Sequence, residues 1–513
     1  METGRHHVIN MQELYNPATF LDSSCFSELN LPSHNSSDNI SSYYHLSNRM
    51  SIPQRKTRAI ITKKHLRAPI VGGMQVTPIP PLGCSTQQHF LSEAIAPSVE
   101  QPSTPLLLQA GQIPGMRAGS TLLASVLAKE LKNDIITGSD SFIDRLFPKE
   151  RAPFAIDHLI FRALSGKKYW DSKKQVFEGM KFTESGMGDW LNKVGEAMGT
   201  VYGRTLKRLW WEGARNLPPS GAPHSRKPDL VLLNQEYYET MKNSQDQRVD
   251  WCRIRSFAEV TEEKRRPSRM EDTINAKSYL LFVLQFDRRF ATALSFCHSG
   301  EYWFTLTDRE GQIHYKSSLK NNGLESAEVF LGILAFFMFG DDADIGLDPH
   351  FIHDSTTDHL IAINIGNKCY ELKDRIYAVE SLLGRGTNVW IVTREDKQYI
   401  LKDSWVLGDL VESEVTHLQA MSEHSEIESR VPSFVDGGDV KIDEITDSTA
   451  NYRGQGLVGY RHNQRVHRRI VTGPVGIPLT RFRTKKEFVN ALISVVSSRC
   501  HRINIAIIFS SCP

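Results

Sequence analysis

Two closely spaced glycines and a lysine further along the chain are the first residues whose types and spacing could do chemistry. Gly384 and Gly386 lie in LGRGTNVWIVTREDKQYILKDSW, residues 383–405, and Lys402 follows Gly386 by 16 residues (402 − 386). Glycine lets a backbone lie close over phosphates, because no Cβ intervenes and the N–H groups can point at the ligand. A lysine on the following strand is placed to reach the α- and β-phosphates of a nucleotide. The pattern therefore indicates a phosphate-facing pair of strands.

Such a lysine needs a carboxylate on the next helix to hold its ammonium group. Glu414 in ESEVTHL is the first candidate, since Val415 and Leu418 would give that helix a buried stripe. Glu412 is the alternative. Each feature has an ordinary explanation as well: a Gly-x-Gly is most often a tight turn, a helix glutamate is most often solvated, and the third glycine of the usual phosphate loop is missing. In this order and spacing, however, the glycines, lysine and glutamate predict a nucleotide-binding lobe.

A second set of candidates lies upstream and consists of acidic groups. Asp229 on one predicted strand and Glu259 on the next resemble the PD-(D/E)xK nuclease core. There, two carboxylates bind magnesium and a lysine two residues after the glutamate orients the attacking water. Thr261 stands where that lysine belongs, and Lys264 would face the opposite side of the strand. We expect a degenerate nuclease-like fold, with Asp229 and Glu259 as weak metal-ligand candidates and Glu196 as a further acidic group.

Basic side chains near these carboxylates would suit a nucleic-acid backbone or a solvated rim, and the rim is the expected arrangement. They are Arg204, Lys207, Arg208, Arg265, Arg266, Arg288 and Arg289. The formal net charge is +2, from 61 Lys+Arg against 59 Asp+Glu, which argues against a dedicated nucleic-acid or membrane-surface binder. Nucleic acid is therefore not an expected partner.

The elements that must position these residues follow from hydrophobic periodicity. RKPDLVLLN and CRIRSFAEVTEEK predict the strands that carry Asp229 and Glu259, and DTINAKSYLLFVLQFDRRF predicts a helix after them. GMGDWLNKVGEAMGTVYGRTLKRLWWEG reads as one amphipathic stretch, and TALSFCHSGEYWFTLTDREGQIHYKS as two strands. VFLGILAFFMFG, residues 329–340, is too short to span a bilayer and predicts a buried helix. From about residue 358 the chain predicts antiparallel strands with TREDKQ as a hairpin turn, then a helix in DLVESEVTHLQAM.

These elements predict a mixed α+β or α/β fold in four segments. Residues 1–110 are rich in Ser, Asn, Pro and Gln without a sustained period, so we expect disorder. An α/β domain over 111–350, a nucleotide-binding lobe over 358–475 and the start of another lobe over 476–513 follow. The seven cysteines form no CxxC and the N-terminus has no apolar leader, which predicts reduced thiols in an intracellular chain, cytoplasmic or nuclear.

The chain resembles the fungal-type protein kinase family, a divergent branch of the protein kinases. The likeness covers roughly residues 135–500 and is carried by many motifs in the same order. They are RKPDLVLL, SFAEVTEEK, LQFDRRF, TDREGQI, GLDP, LGRGTNVW, YILKDSW, HRRIVTGPVGIPLTRF and KKEFVNALI. The resemblance implies a kinase N-lobe over 358–475, ATP as cofactor with Mg²⁺ in a complete kinase, and phosphorylation of Ser or Thr in proteins.

The resemblance also implies roles for particular residues. Gly384 and Gly386 would cover ATP, Lys402 would orient its phosphates, and Glu414 would pair with Lys402. The backbone over residues 471–474 would meet the adenine. Independently of the resemblance, His462, His467 and His501 are too far apart in the sequence to suggest a metal site, and they are expected as surface or hinge residues.

Part of the machinery of a kinase is missing from the sequence. The aspartate that accepts the substrate proton and the magnesium-binding Asn and Asp sit in HRD-x-x-x-x-N and DFG motifs. Neither motif occurs, and His501-Arg502 is followed by Ile503. We therefore expect a C-terminally truncated chain with no catalytic residue that at most binds ATP. The alternatives are a pseudokinase or regulatory module with a protein partner, and a nuclease-like DNA-binding protein. A helix over 484–500 is expected to expose Phe488, Leu492, Val495 and Val496.

Overall fold

The computed structural model describes residues 120–131, 134–212, 217–320, 323–408, 413–423, 431–453, 464–477, 481–494 and 496. The segment 1–110, for which the sequence predicts disorder, lies outside the described residues.

The strands fall into two large sheets and two short hairpins. They are β1 Ile135–Thr137, β2 Trp170–Asp171, β3 Val176–Phe177, β4 Arg208–Trp211, β5 Leu230–Asn234, β6 Ser256–Thr261, β7 Ala291–Cys297, β8 Glu301–Asp308, β9 Gly311–Ser318, β10 Phe351–His353, β11 Leu360–Ile365, β12 Lys368–Ala378, β13 Asn388–Arg394, β14 Lys397–Leu407, β15 Ser433–Asp439, β16 Lys441–Ile442, β17 Ile445–Thr446 and β18 Arg465–Gly473.

The α-helices pack mainly around the first sheet. They are α1 Ser120–Glu130, α2 Asp140–Leu146, α3 His158–Gly166, α4 Glu184–Tyr202, α5 Gln235–Asn243, α6 Ser268–Leu284, α7 Gly323–Phe339, α8 Glu414–Ser422 and α9 Thr449–Arg453. Helix α4 begins where the Thr183 side chain accepts from the Gly186 N–H, and it ends at Gly203, whose φ of 60° closes the last turn.

The first sheet has the order β1-β9-β8-β7-β6-β5-β4 and is covered by helices on both faces. The β6–β7 and β1–β9 pairs are parallel, whereas the other neighbours are antiparallel. Alternate residues of β5 enter opposite cores: Leu230 and Leu232 pack with α4 and α7, whereas Val231 and Leu233 pack with α1, α5 and α6. Because both faces of β5 are buried, apolar residues occupy consecutive positions in this strand rather than every second one.

The second sheet has the order β10-β11-β12-β13-β14-β18-β15, and all neighbours in it are antiparallel. The predicted hairpin in TREDKQ is confirmed, with Glu395 and Asp396 at φ 50° and 57° between β13 and β14. Leu418 and Met421 of helix α8 pack against Ile470 of β18 on one face of the sheet. The opposite face of the sheet carries a separate apolar core. Strand β10 belongs to this sheet although it precedes residue 358.

The mixed α+β class is confirmed, and two local expectations need correction. The stretch over 291–318 forms three strands, β7 to β9, where two were expected. The amphipathic stretch after residue 186 is helical only to Tyr202, and its RLWW end is strand β4. The apolar run before Gly340 lies in the buried helix α7, as expected, and no described helix is both long and apolar enough to cross a membrane.

Candidate functional site

Lys402 and Glu414 form an ion pair that joins the second sheet to helix α8. Lys402 lies in β14, in register with Val389 of β13 and Ile470 of β18. Its Nζ is 2.7 Å from Oε1 and 2.6 Å from Oε2 of Glu414. Glu414 is the first residue of α8, where a negative charge is favourable next to the helix N-terminus. The carboxylate therefore fixes the ammonium group by a two-oxygen contact; the alternative partner, Glu412, lies outside the described residues.

The pair is partly shielded from water. The Lys402 side chain is 14% exposed and the Glu414 side chain 29%. Burial lowers the pKa of Lys402, Glu414 opposes that effect, and the positive charge of Arg385 adds to it. A partly desolvated ammonium group with one bound carboxylate can still accept a second anion, because Lys has three donors.

The two glycines lie in the connection between β12 and β13, residues 379–387, which we call the glycine loop. Gly384 has φ 93° and Gly386 φ 48°, a region that favours glycine. The Arg385 carbonyl accepts from the Trp405 N–H at 2.8 Å, which ties the loop to the strand that carries Lys402. A Cβ on Gly386 would lie 2.3 Å from Cζ of Arg309, so this glycine is required by a close approach within the protein itself. The glycines thus have a structural reason that the sequence did not reveal.

The segment expected to meet adenine lies at the end of β18. Val471 is fully buried in the core of the second sheet and pairs with Leu401, while Gly473 pairs with Ser433 of β15. His467, expected at the surface or in the hinge, is instead 3% exposed and lies between Asp403 and Asp447.

The upstream acidic residues occupy neighbouring positions at β5 and β6. Asp229 precedes β5, and its Oδ2 accepts from the Val260 N–H at 2.8 Å. Glu259 forms an ion pair with Lys277 of α6, and the two side chains are only 7% and 2% exposed. Burial outweighs Lys277 and raises the pKa of Glu259 to about 7. Lys277 thus places an ammonium group beside Glu259, and the pair is closed to solvent.

The remaining nuclease-like candidates do not join this pair. Glu196 is exposed on α4, and Lys264 is exposed beyond the end of β6. Glu184, at the start of the same helix, lines a cavity of about 440 Å³ together with Val260 and Glu262. Within the described ranges, no group of three or more His, Cys, Asp or Glu side chains could hold a metal ion.

Three of the basic residues expected to line a solvated rim are buried. Arg208, Arg288 and Arg289 are 2%, 2% and 5% exposed. Arg208 donates to the carbonyl oxygens of Phe337 and Gly340. Arg288 and Arg289 donate to carbonyl oxygens in the segment that follows α7. We call the first sheet, helices α1 to α7 and this segment the first sheet unit. These guanidinium groups are internal donors, because buried carbonyl oxygens need partners. They are therefore not available to a nucleic-acid backbone.

Comparison with known families shows which family the chain belongs to. The model of the fungal protein kinase family matches residues 227–503, which is 277 of the 513 residues (503 − 226). The matched range is more than half of the chain and includes strands of both sheets, from β5 to β18. The chain therefore belongs to the fungal protein kinase family. No curated protein matches it.

Sequence reasoning missed two residues that organise these sites. Lys277 interrupts the buried face of α6 between Ile274 and Leu281, and a charged residue at that helical spacing is a usable signal of an internal ion pair. Arg309 lies in the turn between β8 and β9, in TDREG, where a charged residue reads as solvent-exposed. No local pattern indicates that it is buried.

Proposed function

We propose that this chain binds ATP, with its phosphates against Lys402 and the glycine loop. The observation that carries the proposal is the two-oxygen contact between Lys402 and Glu414. Protein kinases hold the lysine that orients the α- and β-phosphates by such a helix glutamate. Membership of the fungal protein kinase family supports the same assignment.

The residues present fit the polyphosphate of ATP. Lys402 is a partly desolvated cation, and the exposed Arg385 adds positive charge between two glycines. Gly384 carries no Cβ, and no atom lies within 4 Å of the position that a Cβ would take, so a phosphate could approach the loop backbone there. ATP would place its negative charge beside Lys402 and Arg385. Magnesium is a weaker fit, since no set of metal ligands exists in the part of the chain that the structure describes.

The proposal is limited to binding. The 513 residues contain neither HRD-x-x-x-x-N nor DFG, so they provide no aspartate base and no magnesium-binding Asn and Asp in those motifs. Positioning and electrostatic stabilisation by such groups account for most of phosphoryl transfer. We therefore propose a nucleotide-binding module that acts as a pseudokinase or regulatory unit, and the protein partner is unidentified. The nuclease-like alternative is disfavoured by the closed Lys277–Glu259 pair.

Thermal unfolding with and without Mg-ATP tests the proposal. A ligand at 100 times its Kd stabilises the folded state by about 2.7 kcal/mol, so the unaltered chain should show a raised Tm. Lys402→Ala should abolish this shift, because the phosphates lose their ammonium partner. Lys397→Ala is the matched control, since Lys397 is an exposed lysine on the same strand. An unchanged shift in Lys402→Ala would rule out binding through this site.

A further inference from the structure

The glycine loop is held by groups of the first sheet unit. Arg309, in the β8–β9 turn, donates from Nη1 to the carbonyl oxygens of Ser381 at 2.8 Å and Leu382 at 3.3 Å. In return, its own carbonyl accepts from the Gly384 N–H at 2.9 Å. Arg309 therefore contacts the loop through both its side chain and its backbone, with three hydrogen bonds over four consecutive residues.

Two further contacts fix the same segment. Glu130, at the end of α1, accepts from the Leu383 N–H at 2.7 Å, and the Tyr279 hydroxyl of α6 donates to the Glu380 carbonyl at 3.3 Å. Leu382 is fully buried in the apolar core that α1 and α6 share. Leu382 thus anchors the glycine loop in the first sheet unit, and the backbone groups of Glu380 and Leu383 beside it have hydrogen-bond partners there.

Arg309 is suited to this contact because its side chain is packed inside the protein. Its side chain is buried, its guanidinium lies 4.4 Å from the centre of the Phe282 ring, and burial lowers its pKa to about 10. The close approach to Gly386 leaves no room for a Cβ on that residue. A planar guanidinium held on both sides in this way restricts the loop to one position.

We propose that Arg309 is a positioning residue of the nucleotide site, which acts through the glycine loop; this inference rests on the proposed binding of ATP at Lys402. A loop with two glycines loses much conformational freedom when it orders around a phosphate. Anchoring by Arg309 removes that cost before the ligand arrives, so the phosphate-dependent part of the affinity depends on it. The first sheet unit thereby controls nucleotide affinity in the second sheet without touching the nucleotide.

The test compares ATP with adenosine on the full chain. Arg309→Ala should weaken ATP binding about tenfold, since it removes two side-chain hydrogen bonds to the loop. Adenosine affinity should stay unchanged, because adenosine has no phosphate for the loop to meet. Arg309→Lys should recover part of the loss, since one ammonium donor can still reach the Ser381 or Leu382 carbonyl.

Arg208→Ala is the matched control. Arg208 is also buried and also donates from Nη1 to two carbonyl oxygens, but it lies on β4 at the far edge of the first sheet. Arg208 also forms an ion pair with Asp342, so Arg208→Ala should lower the Tm at least as much as Arg309→Ala does, and it should leave the ATP-to-adenosine affinity ratio unchanged. If Arg208→Ala changes that ratio as much as Arg309→Ala does, the effect is general destabilisation and the positioning role is wrong.

A second variant covers the case in which Arg309→Ala does not fold. Glu130→Ala removes the acceptor of the Leu383 N–H from a half-buried position and should also lower the ATP-to-adenosine affinity ratio. Amide hydrogen exchange over residues 380–388 should rise in both variants. Faster exchange without loss of ATP affinity would overturn the inference.

The outcomes separate this inference from the proposed function. If Lys402→Ala does not affect ATP binding, the proposed function fails, and the positioning role fails with it. If Lys402→Ala abolishes binding but Arg309→Ala and Glu130→Ala both bind ATP with unchanged affinity, the positioning role alone is wrong.

Discussion

Two lysine–glutamate pairs connect a helix to a strand in this protein, and they differ in how far water reaches them. In the first sheet unit, Lys277 comes from helix α6 and Glu259 from strand β6, with side chains 2% and 7% exposed. In the second, Lys402 comes from strand β14 and Glu414 from helix α8, with side chains 14% and 29% exposed. The same two residue types thus form a sealed pair and a partly open one.

The difference indicates which of the two ammonium groups a ligand could still reach. Burial raises the pKa of Glu259 to about 7 even with Lys277 beside it, so the sealed pair is dominated by desolvation. Burial also lowers the pKa of Lys402, but both side chains of the open pair keep some contact with water, and the exposed Arg385 adds positive charge nearby. The sealed pair is expected to contribute to stability, and the open pair is the one proposed to bind nucleotide.

The largest expected effect is on the sealed pair. Lys277→Met should lower the free energy of unfolding by about 3 kcal/mol, because it leaves Glu259 buried without its counter-charge. Urea unfolding at pH 9 measures this loss, because Glu259 is ionised there in the unaltered chain. The loss should shrink as the pH falls through about 7, since a protonated Glu259 needs no cation.

The double variant Lys277→Met with Glu259→Leu is the control. It removes both charges and should recover most of the lost stability. If the double variant is less stable than Lys277→Met alone, the two charges are not the source of the loss.

The second largest effect is expected for His467 of β18, which contacts Asp403, the residue after Lys402 in β14. Burial of His467 lowers its pKa, because it disfavours the charged imidazole, and the positive charge of Arg469 acts in the same direction. Asp403 and Asp447 outweigh both effects and raise the pKa of His467 to about 9. Its ring also stacks on Trp405 at 4.6 Å between ring centres. A raised folded-state pKa contributes stability that is complete below pH 6.5 and lost as the pH rises through about 9.

Unfolding free energies between pH 6 and 10 measure this contribution. The unaltered chain should lose about 2–3 kcal/mol more than His467→Gln over that range, since the variant has no imidazole to titrate. Parallel pH profiles for the two proteins would mean that the pKa of His467 is the same in the folded and unfolded states.

The smallest effect is expected for the open pair in the absence of nucleotide. Lys402→Ala should lower the free energy of unfolding by about 1 kcal/mol, less than Lys277→Met does, because the Glu414 side chain that is left is 29% exposed and water can solvate it. Urea unfolding under the same conditions as for Lys277→Met gives the comparison. A loss as large as that of Lys277→Met would place both pairs in the structural class and remove the contrast.

Regular elements were predictable where local pattern and turn chemistry agree. The strands around Asp229 and Glu259, the helix after them and the Glu395–Asp396 hairpin all follow from periodicity over fewer than 20 residues. The expectation failed where two periods overlap. RLWW satisfies both a helical stripe and an alternating strand, and pairing of β4 with β5 decides the outcome.

Contacts between candidate residues were predictable only where the two residues lie in consecutive elements of the chain. The Lys402–Glu414 contact spans 12 positions, so a strand and the next helix in the chain suffice to suggest it. Lys277 and Glu259 are 18 positions apart, and a lysine on an apolar helix face is the signal that was available. Whether nucleotide binds at Lys402 stays a prediction.

The sequence by itself determined the alternation of strands and helices, the hairpin turn and the order of glycine, lysine and glutamate along the chain. Each of these depends on backbone preferences and side-chain periodicity over a few residues. Only the tertiary structure decided that Arg309 holds Ser381, 72 positions away, and that Glu130 holds Leu383, 253 positions away. Buried polar groups must find partners wherever packing brings them, and no local pattern encodes which partner that is.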